Sequence, residues 1–302
     1  MNHQHHGHGG CGCKKNGNGH GVNAAHTSHG AGQCSQGGGH PGGHPGGHPM
    51  KTPSAPEISG DPRDVAVNPD EVNARQNFSL HSVFQTIVPL PPSEEKIKVM
   101  VDQVNDAVNA TGVQIRGWYD VSAFRPDADL MLWFTAIDTE KNVSADRLQK
   151  AYRAVVNSEL AEYMVPVFSV MEAHMTAEFN APHLPACFGG WHPRAYCAFY
   201  PFNRTFDWYY LPKSRRGAML KEHGINGKDY NDVAVSTLAT FALSDYEWTV
   251  SLEADDISRV MGVLRKQRDC EARLFVREDT PFYTGKRMEL LEWALKQKRL
   301  AQ

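Results

Sequence analysis

In the last three-quarters of the chain, hydrophobic and polar positions follow two patterns that take turns along the sequence. Strict alternation predicts β-strands, and a spacing of three to four residues predicts amphipathic helices. The first series predicts strands over residues 80–90, 113–121, 129–137 and 165–175, with helices over 94–110 and 144–160. The second predicts strands over residues 194–202, 233–243, 246–254 and 272–276, with helices over 213–223 and from 255 onward.

Both series give the order β-α-β-β-α-β, which predicts an α+β fold with two ferredoxin-like halves. We place these halves at residues 75–180 and 181–302. Leu130–Trp133 and Tyr246–Trp248 repeat one another, because each lies on the strand before a helix. Two such sheets can close into a barrel, and we expect that barrel to leave a cavity for a ligand.

Residues 1–74 have a different composition. Up to Pro56 the chain is rich in Gly, His, Asn and Pro, and a linker continues to residue 74, so we expect this region to be disordered. Ten of the fifteen histidines precede Met50, beside Cys11 and Cys13. Imidazole and thiolate suit Zn, Cu or Ni. The pattern fits a metal-capturing tail, and it equally fits an expanded repeat without a role.

Composition and charge exclude several classes. A net charge of -3 offers no basic field for nucleic acid or for an anionic membrane. No apolar run is long enough to span a bilayer, and no secretory signal is recognisable, so the expected location is cytoplasmic. The six cysteines split equally between tail and body, which favours reduced thiols over a disulfide-stabilised scaffold.

His223 is the first candidate for chemistry, because it ends the predicted helix over 213–223 and precedes Gly224. A histidine in this position can simply complement the negative end of the helix dipole. It can also present a neutral imidazole to one metal, as the proximal ligand of a heme does. Position alone does not decide between these roles.

A second candidate is the aromatic stretch around Tyr200. Tyr196, Ala198 and Tyr200 lie on one face of the predicted strand, and Trp208 and Arg204 follow. Such residues can line a barrel, or they can hold a planar macrocycle that carries carboxylates. The sequence has no glycine-rich nucleotide loop, no G-x-S-x-G motif and no C-x-x-C pair in the body.

Six segments together resemble the coproheme decarboxylases of the chlorite dismutase superfamily, specifically the actinobacterial branch. They are Gly117–Val121, Asp127–Met131, Tyr200–Arg204, Trp208–Pro212, Leu220–Gly224 and Asp245–Trp248. The resemblance spans residues 78–285 and leaves out the His-rich tail. It implies that Fe-coproporphyrin III (coproheme) is both substrate and redox centre, that hydrogen peroxide is the oxidant, and that heme b is the product.

The resemblance also implies a role for each site residue. His223 is the iron ligand, Tyr200 relays oxidising equivalents to the propionates, and His183 is the distal base that takes a proton from peroxide. Arg204 and Arg273 hold propionates, and Trp208 and Trp248 contact the porphyrin. Two propionates become vinyl groups through a three-propionate intermediate. The family further implies a homopentamer and transient contact with ferrochelatase.

Three alternatives stay open. Chlorite dismutases carry a distal arginine on the strand after the proximal helix, but residues 229–248 contain none, and Ser236 and Thr237 occupy that region. A heme-dependent peroxidase of related fold does not account for Tyr200 with Arg204. A heme or metal carrier would use the His-rich tail to collect ions, and absence of turnover would identify it.

Overall fold

The computed structural model describes residues 60–174 and 183–299. The strands of these segments are β1 (Gln76–Thr86), β2 (Gln114–Asp120), β3 (Leu130–Asp138), β4 (Met164–Ala173), β5 (Tyr196–Arg204), β6 (Ala234–Ala239), β7 (Trp248–Ala254), β8 (Val276–Glu278) and β9 (Tyr283–Met288). The helices are α1 (Pro69–Asn73), α2 (Glu94–Asn109), α3 (Val143–Val156), α4 (Phe206–Tyr210), α5 (Lys213–Gly227), α6 (Ile257–Gln267) and α7 (Leu290–Lys296). Two 3₁₀ segments cover Glu159–Glu162 and Glu271–Phe275.

The strands form one antiparallel sheet in the order β7-β6-β4-β1-β3-β2-β9-β5-β8, and β5 also pairs with β7. This second pairing closes eight of the strands into a ring. The α+β class with an antiparallel sheet is therefore confirmed. None of the helices in this part of the chain has the length and apolar character needed to cross a bilayer.

Alternate residues of the ring face two different environments. One set fills the interior with large side chains, among them Tyr119, Trp133 and Phe199. His81 stacks on Phe199 at 4.0 Å between ring centroids and pairs with the buried Glu172 at 3.0 Å. The other set packs outward against the helices. The ring interior is thus a packed core, and the expectation that it holds the ligand cavity is wrong.

Most predicted elements are present, and the exceptions are informative. Helix α5 continues past Gly224 to Gly227, so the predicted helix stop at Gly224 is wrong. Residues 272–275 form a 3₁₀ turn instead of a strand, and only Val276 begins β8. Strand β9 and helix α7 have no counterpart in the predicted elements.

Residues 60–74, which the sequence assigns to the linker, make specific contacts with the body. Val65 N–H donates to the carbonyl of Gly190, and Asp64 pairs with Arg194 at 2.7 Å with both side chains almost inaccessible. A short helix, α1, buries Val72. Residues 60–74 therefore pack on the body, because Asp61 and Asp64 both pair with the buried Arg194 and Val72 joins an apolar cluster of the body. Residues 1–59, which carry the predicted metal-binding tail, lie outside the described residues.

Candidate active site

A pocket lies on the outer face of the ring, between the sheet and helices α5 and α6. It encloses about 710 Å³ of space free of atoms, including the part open to solvent. The sheet contributes apolar and aromatic side chains, and the helices and the following loop contribute most of the polar ones. The lining residues are Tyr200, Phe202, Arg204, Leu220, His223, Thr237, Trp248, Val250, Leu264, Gln267, Arg268, Ala272, Arg273, Val276 and Asp279.

His223 reaches this pocket from α5. Its Nδ1 lies 3.6 Å from Sγ of Cys270, whose thiol donates to the carbonyl of Gln267 at 3.1 Å. Burial and the charge of Arg204 lower the pKa of His223, and a hydrogen bond to the backbone of Gln267 partly opposes this. The ring is therefore neutral near pH 7, and a neutral imidazole with one nitrogen oriented by protein groups suits an iron ligand.

Tyr200 lies on β5 with its ring stacked on Phe282, at 4.4 Å between ring centroids. Burial raises the pKa of Tyr200 to about 12, against the opposing charge of Arg268. The phenol is thus protonated at neutral pH and keeps a hydrogen that it can give up. Ala198 and Tyr200, two of the three residues predicted to share a face of this strand, lie together with Phe202 in one cluster on the helix side.

Arginines supply the positive charge of the pocket. The guanidinium of Arg204, which is nearly buried, lies 4.1 Å from the ring centroid of Trp208. Arg268 and Arg273 each donate to the same oxygen of Asp279, at 2.7 Å. Planar guanidinium groups are suited to carboxylate recognition, so this wall can accept an anionic ligand.

The two tryptophans predicted to contact a porphyrin lie in different places. Trp248 is on β7 and lines the pocket, and its Nε1 donates to Oη of Tyr209 at 3.2 Å. Trp208 does not line it, because α4 directs the indole into a small core with Met219 and Ala272. The prediction that Trp208 contacts the ligand directly therefore does not fit this pocket. Its ring instead packs against the guanidinium group of Arg204.

His183 lies apart from the other predicted residues, at the start of the second described segment. It does not line the pocket as the described residues define it. Burial lowers the pKa of His183, and its ring interacts with that of His174, which follows β4. The structure therefore brings together Tyr200, Arg204, His223, Trp248 and Arg273, and it does not bring His183 to the same wall.

Several lining residues have no counterpart among the predicted ones, above all Gln267, Arg268 and Asp279. They come from the end of α6 and from the loop after β8. Charged residues in such places are usually solvent-exposed, so their sequence pattern carries no signal. Thr237 also lines the pocket. It lies on β6, the strand after α5, within residues 229–248, which contain no arginine.

These features agree with the comparisons to known proteins. The chlorite dismutase family model matches residues 95–288, and the chain belongs to this family. A coproheme decarboxylase from Mycolicibacterium smegmatis is 37% identical over 225 residues, which is 73% of this chain and 94% of the relative.

Solved structures agree on the fold alone. A variant of chlorite dismutase from Candidatus Nitrospira defluvii has a TM-score of 0.62 at 17% identity, covering 73% of this chain and 94% of that one. The same enzyme in complex with imidazole has a TM-score of 0.60 at 17% identity, with the same coverage of both chains.

Proposed function

We propose that the chain is a coproheme decarboxylase, a peroxide-dependent enzyme that converts two propionates of coproheme to vinyl groups and yields heme b. The observation that carries this proposal is the pocket itself. In a chain 37% identical to a coproheme decarboxylase, a neutral imidazole, a protonated phenol and three arginines surround one apolar slot. An iron porphyrin with carboxylate side chains needs this combination of groups.

In this proposal His223 binds the iron, and Trp248, Leu220 and Val250 contact the apolar macrocycle. Arg204 and Arg273 pair with propionates. The donor set fits the substrate, since one neutral nitrogen ligand and several guanidinium groups match one iron and several carboxylates. The iron of bound coproheme, once oxidised by peroxide, supplies the oxidising equivalents.

Tyr200 then transfers the oxidation to the side chain. Its phenol loses one electron and one proton, and the resulting radical takes a hydrogen atom from the β-carbon of a propionate. A second one-electron oxidation, from the same peroxide, releases carbon dioxide and leaves a vinyl group. Each complete decarboxylation converts one propionate carboxylate, one hydrogen peroxide and one proton into one vinyl group, one carbon dioxide and two waters. The high pKa of Tyr200 favours this role, because the hydrogen stays on the phenol until oxidation.

His183 is proposed as the base that takes the first proton of peroxide. Its lowered pKa keeps the ring neutral, which a base requires, and its place in the family pattern supports the role. We also propose that the two halves are ferredoxin-like units of a dimeric α+β barrel, that the enzyme is a cytoplasmic homopentamer, and that it contacts ferrochelatase transiently.

One observation separates this proposal from chlorite dismutation. Thr237 lines the pocket on β6, and residues 229–248 offer no arginine to hold a chlorite or its product. A non-specific heme peroxidase needs no arrangement of carboxylate-binding arginines around a phenol. A carrier needs no oxidisable residue at all.

Mass spectrometry of the porphyrin tests the proposal. Purified full-length protein is loaded with coproheme, treated with stepwise additions of peroxide and, in parallel, with chlorite. We expect two successive mass losses, each of one carbon dioxide and two hydrogens, with peroxide, and no oxygen release with chlorite. Peroxide consumption with the porphyrin mass unchanged would overturn the proposal in favour of a peroxidase or carrier.

A further inference from the structure

Two arginines in the pocket share one internal carboxylate. Arg268 ends α6, Arg273 lies in the following 3₁₀ segment, and Asp279 follows β8. Nη2 of Arg268 and Nη1 of Arg273 both donate to Oδ2 of Asp279 at 2.7 Å. All three side chains line the pocket. The cluster carries one net positive charge, and its anionic member is part of the protein.

This cluster faces the phenol that the proposed function places at the reaction. The charges of Arg268, Asp279 and Arg273 all act on Tyr200. A propionate that reacts at Tyr200 must therefore bring its carboxylate close to these arginines, where Asp279 already accepts from one nitrogen of each guanidinium group. Two carboxylates close together repel each other, so the substrate carboxylate and Asp279 compete for the same two arginines.

Exchange between the two carboxylates is physically easy. The side chains of Arg268 and Arg273 are 33% and 36% accessible, and that of Asp279 is 15% accessible. Ion pairs exposed to this degree are weak, because water solvates each partner when the pair opens. A fully buried pair, such as Arg116 with Glu253 in the ring interior, would instead resist separation.

We propose that Asp279 is an internal competitor for Arg268 and Arg273, which yields them to a substrate carboxylate and takes them back when that carboxylate is lost. This inference rests on the proposed function for the identity of the substrate. It makes Arg268 and Asp279 specificity-determining residues. Coproheme displaces Asp279, whereas heme b, which carries vinyl groups in place of two propionates, leaves the pairs intact.

The exchange matters for product release. When decarboxylation removes the carboxylate, the arginines lose their anionic partner beside an apolar vinyl group, and Asp279 restores the charge balance. The protein thereby binds coproheme less tightly than it would if both arginines were unpaired. It also gains no added affinity for heme b from these arginines. Specificity of this kind is a difference between two affinities.

Equilibrium binding without peroxide tests the exchange. Coproheme and heme b are each titrated into the full-length ligand-free protein, with quenching of tryptophan fluorescence as the signal. For Asp279→Asn we expect coproheme to bind about tenfold tighter, as expected for one charged hydrogen bond, and heme b to bind no tighter than to the parent. For Arg268→Gln we expect coproheme alone to bind about tenfold more weakly.

Neighbouring residues provide matched controls, because Glu278 and Arg277 lie beside the cluster but do not line the pocket. Glu278→Gln and Arg277→Gln should leave both affinities unchanged. If Asp279→Asn weakens both porphyrins together, Asp279 is a fixed support for the arginines and the exchange is refuted. Unchanged coproheme affinity in Arg268→Gln would refute it as well. Because no turnover is measured, these results stand apart from any failure to form heme b.

Discussion

Burial reinforces the protonation state of two side chains of the pocket. Tyr200 keeps its proton because an anionic phenolate would lose hydration, which raises its pKa to about 12. His223 stays neutral for the converse reason, since burial and Arg204 disfavour its cationic form. The same physical effect thus helps to keep a hydrogen donor and a neutral nitrogen ligand in one pocket.

Replacing the proposed iron ligand should separate porphyrin binding from iron coordination. In His223→Ala, arginines and apolar contacts remain, so coproheme should still bind, but the ferric absorption spectrum should change and cyanide should bind with altered affinity. Absorption titrations measure both. His192→Ala is the control, because His192 is exposed and outside the pocket. A parent-like spectrum in His223→Ala would show that another group holds the iron.

The pH dependence tests His183. Its pKa is lowered, so the ring is neutral and basic above a pKa that lies below 6.5. Peroxide activation should therefore persist to pH values below 6.5 and decline only as His183 is protonated. His183→Ala should slow it by about 100-fold to 10,000-fold, with partial recovery at high pH. Stopped-flow rates against pH measure this, with His192→Ala as the control, because His192 is exposed and lies outside the pocket. Identical profiles in the parent and in His183→Ala would leave His183 a structural role.

At the level of elements, the sequence predicts what regular patterns encode. Strand β7 alternates between apolar and polar residues, and β3 is a long apolar run. The cap of α6 is visible as Asp256, whose carboxylate accepts from Ser258 N–H at 2.8 Å. Strand β9 escapes prediction because Gly285 and two basic residues interrupt its apolar pattern. Gly285 is required there, since a side chain would lie 2.8 Å from the carbonyl of Asp120.

The site is predictable in part for the same reason. Tyr200 and His223 lie within recognisable motifs on regular elements. Asp279 and Arg268 depend on how a loop after β8 returns to the end of α6, and no local pattern in the chain encodes that approach. The position of the pocket, outside the ring, likewise depends on which face of each strand the large side chains fill.

A pair of glycines tests how the segment before α1 is held. Gly190 has a φ of +82°, and a Cβ there would lie 1.9 Å from the carbonyl oxygen of Val65, whereas Gly217 on α5 has open space around it. Gly190→Ala should lower the free energy of unfolding by at least ~1 kcal/mol. Gly217→Ala should raise it by ~0.5–1 kcal/mol. Urea unfolding measures both, and equal effects would contradict the packing described.

At the scale of the whole molecule, two truncations separate the tail from the packed segment. Removal of residues 1–59 should preserve heme b formation and eliminate most binding of Ni, Zn or Cu, because the histidines and thiols of the tail are gone. Removal of residues 1–74 should in addition reduce stability, since Asp64 leaves Arg194 without its buried partner. Equilibrium dialysis and urea unfolding measure the two effects. Equal stability of both truncated proteins would contradict this separation of the tail from the packed segment. A large loss of turnover on removal of residues 1–59 would contradict it as well.

The measurement closest to the central claim is porphyrin mass spectrometry on Tyr200→Phe. The substitution removes one hydroxyl and keeps the ring stacked on Phe282. Tyr196→Phe is the matched control, because Tyr196 lies on the same face of β5 but outside the pocket lining. We expect Tyr200→Phe to bind coproheme and consume peroxide while forming neither the three-propionate intermediate nor heme b, and Tyr196→Phe to form heme b normally. Heme b formation by Tyr200→Phe at the parent rate would contradict the account.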